Sequence, residues 1–295
     1  MSAPAPTTAG SASVSVTSAA SATTTAIASA SATREGFSTA RIAGAAIVML
    51  VLAFAVLGPL VVSGDPFSQS LMKALSGPEA GAPLGHDHLG RSVFHRLAHA
   101  LRLSPVIALA AVLTAGSAGL LLGTLAASRG GWLDRLLVTL ADALLALPGL
   151  LLVLIVLAMV PGTATGFWIG LSLVLWVEFF RLTRAATRET LASPAVEATR
   201  LLGFGTAYVF RVHLWPEIRP MMLTAAAFGT ATAIMAIAAL GFVSVGMRAP
   251  TSELGLMMVE LLPYWREAPL ALLSPVVATF TLLLGLTLLA GSREA

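Results

Sequence analysis

Ser193-Pro194-Ala195-Val196-Glu197-Ala198-Thr199-Arg200-Leu201-Leu202-Gly203 lies in the longest charged gap between the apolar segments of the second half of the chain. It reads as a short helix with both ends marked. Ser193 is an N-cap whose hydroxyl can accept a hydrogen bond from an orphan backbone N–H. Pro194 suits the first helical position, where a missing N–H removes no bond. Glu197 in the first turn and Arg200 in the last both sit favourably in the helix dipole. Gly203 can take the left-handed conformation that closes a helix. A helix this short is marginal alone in water, so it needs a surface to dock on. The segments around it decide what kind of protein supplies one.

The chain has 295 residues, of which 57% are hydrophobic and 11% charged, with a mean hydropathy of +0.90. A soluble domain carries about 25% charged residues. So few charges cannot solvate a globular surface, and the fold class is all-α, a polytopic membrane protein. The formal charge is only +3. The arginines are scattered between apolar runs instead of forming one basic face, which argues against a nucleic-acid partner. Cysteine is absent, which removes disulfides, thiolate metal sites and cysteine nucleophiles.

Residues 1–36 are rich in Ala, Ser and Thr and carry no charge before Arg34. Such a segment cannot bury enough apolar surface to order itself and is expected to be a disordered tail. No basic region precedes an early apolar core, so it does not read as a secretory signal. Residues 37–295 then form one transmembrane domain. Its first span is 42–62, at about the 20 residues a bilayer core requires. A mixed polar segment, 63–102, is broken by Pro66, Gly77, Pro78, Gly81 and Pro83. Five further spans are expected at 103–127, 136–160, 165–183, 220–245 and 270–291, making six. With the N-terminus inside, eleven of the 17 Lys and Arg residues fall in cytoplasmic segments. The excess of basic residues on one side favours that orientation, with both termini and the 184–219 loop in the cytoplasm.

At this point the chain resembles a known family, the inner-membrane permease subunits of binding-protein-dependent ABC importers, in the branch for dipeptides, oligopeptides and nickel. That family carries a cytoplasmic loop written E-A-A-x-x-x-G, nine residues, then I-x-L-P. Here it reads Glu197-Ala198-Thr199, Gly203, then His213-Leu214-Trp215-Pro216; Thr199, His213 and Trp215 depart from the pattern. Leu84-Gly85-His86-Asp87-His88-Leu89-Gly90-Arg91 is similar to LGTDxLGRD, and Gly130-Gly131-Trp132-Leu133-Asp134 to GGWVD. Asp142 and Pro148 match D-x-x-x-x-x-P, and Trp176, Arg181 and Arg184 match W-x-x-x-x-R-x-x-R. Ala249-Pro250-Thr251-Ser252-Glu253-Leu254-Gly255 resembles PPTPEWG. The chain ends at Arg293-Glu294-Ala295, without the charged tail of the family.

The resemblance implies a bacterial cytoplasmic-membrane importer subunit for short peptides, with nickel or another small solute as the alternative. It implies a second homologous permease subunit, two ATP-binding subunits and an extracytoplasmic substrate-binding protein as partners. The residues agree on the energy source. A P-loop needs G-x-x-x-x-G-K-[ST], and the single lysine, Lys73, lies in Leu-Met-Lys-Ala-Leu. No cofactor is expected on this chain, ATP and Mg being used by a separate ATPase. The 194–203 helix is then the coupling helix seated in a groove of that ATPase. Val196, Leu202 and Phe204 are its expected apolar anchors, with Glu197, Ala198, Arg200, Gly203 and Pro216 completing the ATPase-coupling set.

Two other groups are candidates for chemistry. Asp142 and Glu178 lie in apolar spans, where a carboxylate must pair or reach an interface; Glu178 can reach Arg181 at i+3. His86, His88, His95 and His99 are weak metal candidates, since imidazole suits nickel or zinc, although a structural or docking role is the expectation. No catalytic residues are expected: H-E-x-x-H, G-x-S-x-G and paired span carboxylates are all missing, which argues against an intramembrane hydrolase. A structural or signalling membrane subunit, whose 184–219 loop meets something other than an ATPase, is the remaining alternative.

Overall fold

The computed structural model describes residues 39–62, 64–248 and 250–291. The tail expected at 1–36 and the chain end at 293–295 lie outside the described residues. The described part is helical, with two isolated β-bridges, Glu79–Ala82 and His86–Ser92. In chain order the helices are α1 (Thr39–Val61), α2 (Val93–Arg129), α3 (Gly131–Leu145), α4 (Gly149–Met159), α5 (Ala164–Leu191), α6 (Pro194–Leu201), α7 (Thr206–Phe242), α8 (Leu254–Leu261) and α9 (Pro269–Ala290). Of these, α1, α2, α5, α7 and α9 are long and apolar enough to cross a membrane, and α3 with α4 make a sixth crossing if the bent pair counts as one. A helix is the natural element here, because it satisfies its own backbone groups where no water is present.

Four segments differ from their sequence expectation, one being the fourth span, which as α5 runs on past 183 to Leu191. The third span, expected as one helix over 136–160, is broken between α3 and α4 by a bend of 87°. Pro148 explains it, having no N–H and restricting Leu147 away from helical geometry. The Leu147 N–H closes onto Leu144, and the ladder restarts with the Leu151 and Leu152 N–H groups on the Pro148 carbonyl. The second span begins at Val93, so α2 has 37 residues. At 1.5 Å per residue it is about 55 Å long and overreaches a hydrocarbon core of about 30 Å. The fifth span begins at Thr206 instead of 220, because residues 206–219 are already helical.

α2 and α5 run parallel and form the main seam of the bundle. Gly119 and Gly123, one turn apart, let the backbone of α5 approach: a Cβ on Gly119 would meet Phe179 Cβ at 2.4 Å, and one on Gly123 the Phe180 carbonyl at 2.8 Å. Small residues four apart are a common device for close helix contact in membranes. Further along the seam Thr114 Oγ1 and Ser172 Oγ lie 2.7 Å apart. α1 packs on α9 by the same means, with Gly44 against Gly285 and Leu289, and Gly285 against Ile47 and Val48.

The chain therefore alternates between two ends. The C-termini of α2 and α5, the N-termini of α1, α3 and α7, and α6 share one end. The 64–92 segment, α8 and the N-termini of α2 and α5 share the other. Gly119→Leu is expected to lower the thermal midpoint of the detergent-solubilised protein, at a cost of about 1–3 kcal/mol from overpacking. Gly81→Ala, at a position with open space around it, should leave the midpoint unchanged in the same melting series.

Candidate functional site

α6 forms as its sequence directs. Ser193 Oγ accepts from the Val196 N–H at 3.4 Å, and Pro194 occupies the first turn. At the other end Gly203 has φ +86°. Its N–H bonds the Arg200 carbonyl at 2.9 Å, and the Phe204 N–H bonds the Thr199 carbonyl at 3.3 Å. This pair of bonds is the Schellman closure.

The faces of α6 are not all as expected. Val196, expected as an anchor for another subunit, is fully buried in this chain. It fills a small apolar pocket made by Ala186 of α5 and Val209, Leu214 and Ile218 of α7, backed by Leu120, Leu191 and Met222. The reason is position: Val196 is the one apolar residue facing inward, so the chain's own core claims it. Leu202 is 77% exposed and Phe204 45%, and Leu201, which the sequence reading passed over, is 83% exposed. Phe204 stacks on Tyr208 with centroids 4.3 Å apart. Glu197, Ala198, Arg200 and Gly203 are exposed. The outward surface of this element is thus apolar at its C-terminal end and charged along its side.

Pro216, expected in the 184–219 loop as part of the ATPase-coupling set, is helical. It lies within continuous helix, just after a π-helical turn at Phe210–Leu214. In that turn the Trp215 N–H bonds the Phe210 carbonyl, five residues back. The wider turn relieves the clash a proline ring makes inside an α-helix.

Behind α6, separate sequence motifs meet. Asp134 of the Gly-Gly-Trp-Leu-Asp stretch is held by Arg184 through Nε at 2.5 Å and Nη2 at 2.8 Å, and by Arg188 Nη2 at 2.7 Å. Asp142 pairs with Arg181 at 2.9 Å. The expected Glu178–Arg181 pair does not form, because Arg181 turns to α3; Glu178 instead faces a groove with Glu217, Thr224 and Phe228. Motif spacing alone could not reveal these pairings, which join residues about forty to fifty positions apart.

The other end carries a buried charge knot. The Asp87 carboxylate, fully buried, accepts from the backbone N–H groups of Leu89 and Arg91, from Arg91 Nε at 2.6 Å and from Arg96 Nη1 at 2.6 Å. Glu260 of α8 bridges the same arginines at 2.9 and 2.6 Å. Gly90 has φ +72°, and a Cβ there would strike the Ser70 carbonyl. Burial works against the Asp87 charge, but the bond from the Arg91 backbone and the two guanidinium groups outweigh it and hold the carboxyl below its usual range. Glu253 caps α8 through the N–H groups of Gly255 and Leu256, and burial pushes its carboxyl up.

The four histidines weighed as metal candidates have separate tasks. His86 meets Ser76 Oγ at 2.8 Å, His88 stacks on Tyr264, His95 lies between Ser92 and the Val62 carbonyl, and His99 meets the Ser252 carbonyl. Among the described residues no three His, Asp or Glu side chains converge on a point that could hold an ion. His95 and His99, four residues apart on α2, are each taken up by different neighbours at the bundle end.

Comparison with known proteins follows the same lines. The family model described as binding-protein-dependent transport system inner membrane component matches residues 119–292. The chain is 34% identical over 232 residues to the di/tripeptide transport system permease protein DppC of Pseudomonas aeruginosa, covering 76% of this chain and 77% of that one. It is 28% identical over 259 residues to the dipeptide transport system permease protein DppC of Haemophilus influenzae, covering 85% and 88%. It is 31% identical over 216 residues to the nickel transport system permease protein NikC of Escherichia coli K12, covering 73% and 78%.

Because Asp87 is held ionised in the fold, its contribution to stability is present above the ordinary carboxylate range and is lost as pH falls through that range towards the lower folded value. Asp87→Asn leaves two buried arginines with one carboxylate between them. It should destabilise the protein at pH 7 by about 3–5 kcal/mol. It should also flatten the fall of the thermal midpoint between neutral and acid pH, read by melting curves of both proteins across that range.

Proposed function

The chain belongs to the family of binding-protein-dependent transport system inner membrane components, and on that premise we propose that it is one permease subunit of an ATP-driven importer of short peptides. It forms half of the translocation path, paired with a second, homologous permease. Two ATP-binding subunits supply the energy, using ATP and Mg on their own residues, and a substrate-binding protein delivers solute from outside. The membrane is the bacterial cytoplasmic membrane, with both termini and α6 on the cytoplasmic side, as the distribution of Lys and Arg favours.

The observation that carries this reading is the exposed end of α6. Leu201, Leu202 and Phe204 are held outward by a capped helix whose inner residue, Val196, is locked between α5 and α7. Apolar side chains displayed beyond the spans suit a protein partner. The chain has no P-loop of its own. An ATPase is the partner that would make such a surface useful in a permease. Peptide is preferred as solute because two of the relatives named above are a dipeptide and a di/tripeptide permease; nickel is the second reading, resting on the NikC relative.

Leu202→Asp and Phe204→Asp should each weaken retention of the ATP-binding subunits by roughly tenfold or more, the equivalent of losing one buried apolar side chain. Uptake of a labelled dipeptide should fall with it. Co-purification and uptake on the same preparations check this, with nickel uptake run in parallel to separate the two solutes. Full retention of the ATP-binding subunits by both variants would show that α6 meets something else.

A further inference from the structure

Thr199 and His213, two of the positions at which the loop departs from the family pattern, face each other. Thr199 Oγ1 on α6 lies 2.9 Å from His213 Nε2 on α7. The Thr199 hydroxyl also lies 2.8 Å from the Ala195 carbonyl, to which it donates. A hydroxyl has one hydrogen, so with that hydrogen on Ala195 the His213 Nε2–H is the donor to Thr199. Among the described residues this is the one side-chain hydrogen bond between α6 and α7.

The π-helical turn is what brings His213 there. Along α7 the residues that enter the Val196 pocket are Val209, Leu214 and Ile218, spaced by five and then four. In an unbroken α-helix the residue one turn after Val209 is 213. The turn at Phe210–Leu214 holds one residue more. Leu214 therefore takes the inward position and His213 moves to the flank that faces α6. A histidine is thus kept out of the apolar pocket and placed against a hydroxyl.

α6 and α7 are joined by the short connection Leu202–Gly205, in which the N–H groups of Leu202, Gly203 and Phe204 close back onto α6. Leu202, Gly203, Phe204 and Gly205 are exposed, and nothing approaches the Cβ positions of the two glycines within 4 Å. Besides this connection, force on α6 reaches α7 through side chains. The Val196 contact is apolar and without direction. The Thr199–His213 bond has direction, so it fixes the register of α6 against α7.

We propose that Thr199 and His213 are positioning residues, a polar strut through which displacement of α6 by the ATPase is delivered to the α7 span. This rests on the proposed function, in which α6 is the ATPase contact. The complex with its ATP-binding subunits, reconstituted in vesicles, tests it by solute uptake per ATP hydrolysed. Thr199→Val and His213→Leu should keep the ATP-binding subunits and lower the thermal midpoint by no more than a few degrees, yet lower that ratio by about two- to tenfold, the effect of one net hydrogen bond. The double variant should be no worse than the poorer single one, and Thr199→Ser, which keeps the hydroxyl, should match the wild type. Unchanged ratios, additive losses, or a Thr199→Ser protein as uncoupled as Thr199→Val would overturn the strut. So would a ratio that falls only in step with the thermal midpoint, or loss of the ATP-binding subunits from Thr199→Val. Failure of the underlying reading looks different, since the wild-type chain would then hold no ATP-binding subunits through α6.

Discussion

Everything proposed for this protein depends on the burial of Val196. An eight-residue helix has too few internal bonds to persist alone. Here one side chain, fully buried among Ala186, Val209, Leu214 and Ile218, fastens it to two spans at once. Burying such a residue is worth about 1.5–3 kcal/mol, a large part of the roughly 3–4 kcal/mol that nucleating a short helix costs. The caps at Ser193 and Gly203 then set where the helix starts and stops, and the remaining apolar residues are left facing outward. An element fixed from inside and apolar outside is suited to carry movement between a partner and the membrane.

The two ends of the bundle solve opposite problems. At the α6 end, Asp134 with Arg184 and Arg188, and Asp142 with Arg181, tie α3 to α5 by partly exposed charges. Such pairs hold geometry while contributing little net stability where water reaches them. At the far end, Asp87, Arg91, Arg96 and Glu260 are nearly closed off from water. There each charge depends on the others, because a lone buried ion is far more costly than a paired one. The knot anchors the 64–92 segment onto α2 and α8, while the parallel α2–α5 seam, built on Gly119 and Gly123, joins the two ends.

Much of this was legible in the sequence. Apolar run lengths located the spans, because a bilayer imposes one length on every crossing. The caps of α6 were readable because they are local: Ser193, Pro194 and Gly203 act on residues within one turn. The break at Pro148 was in principle readable as well, since a proline inside a span signals a bend, but periodicity and hydropathy pass through it unchanged. Whether Val196 faces in or out was not readable, because the pocket that takes it is built from α5 and α7. The pairings of Asp134 with Arg184, Asp87 with Arg96 and Thr199 with His213 belong to the same class: each residue stood in a motif, while this partner was set by packing. The π-turn before Pro216 left no periodic signal in so short a run.

The absence of cysteine makes the central claim directly measurable. Single cysteines placed at Leu201, Leu202 and Phe204, and for contrast at Val196 and at Val106, exposed on α2 towards the opposite end of the bundle, can be tested for disulfide cross-linking to cysteines on the partner ATP-binding subunit in intact membranes. The account predicts adducts from positions 201, 202 and 204, with yields that change when ATP is bound and hydrolysed, and none from 196 or 106. Absence of adducts at all three exposed positions, or equal adducts at 196 and 202, would contradict it.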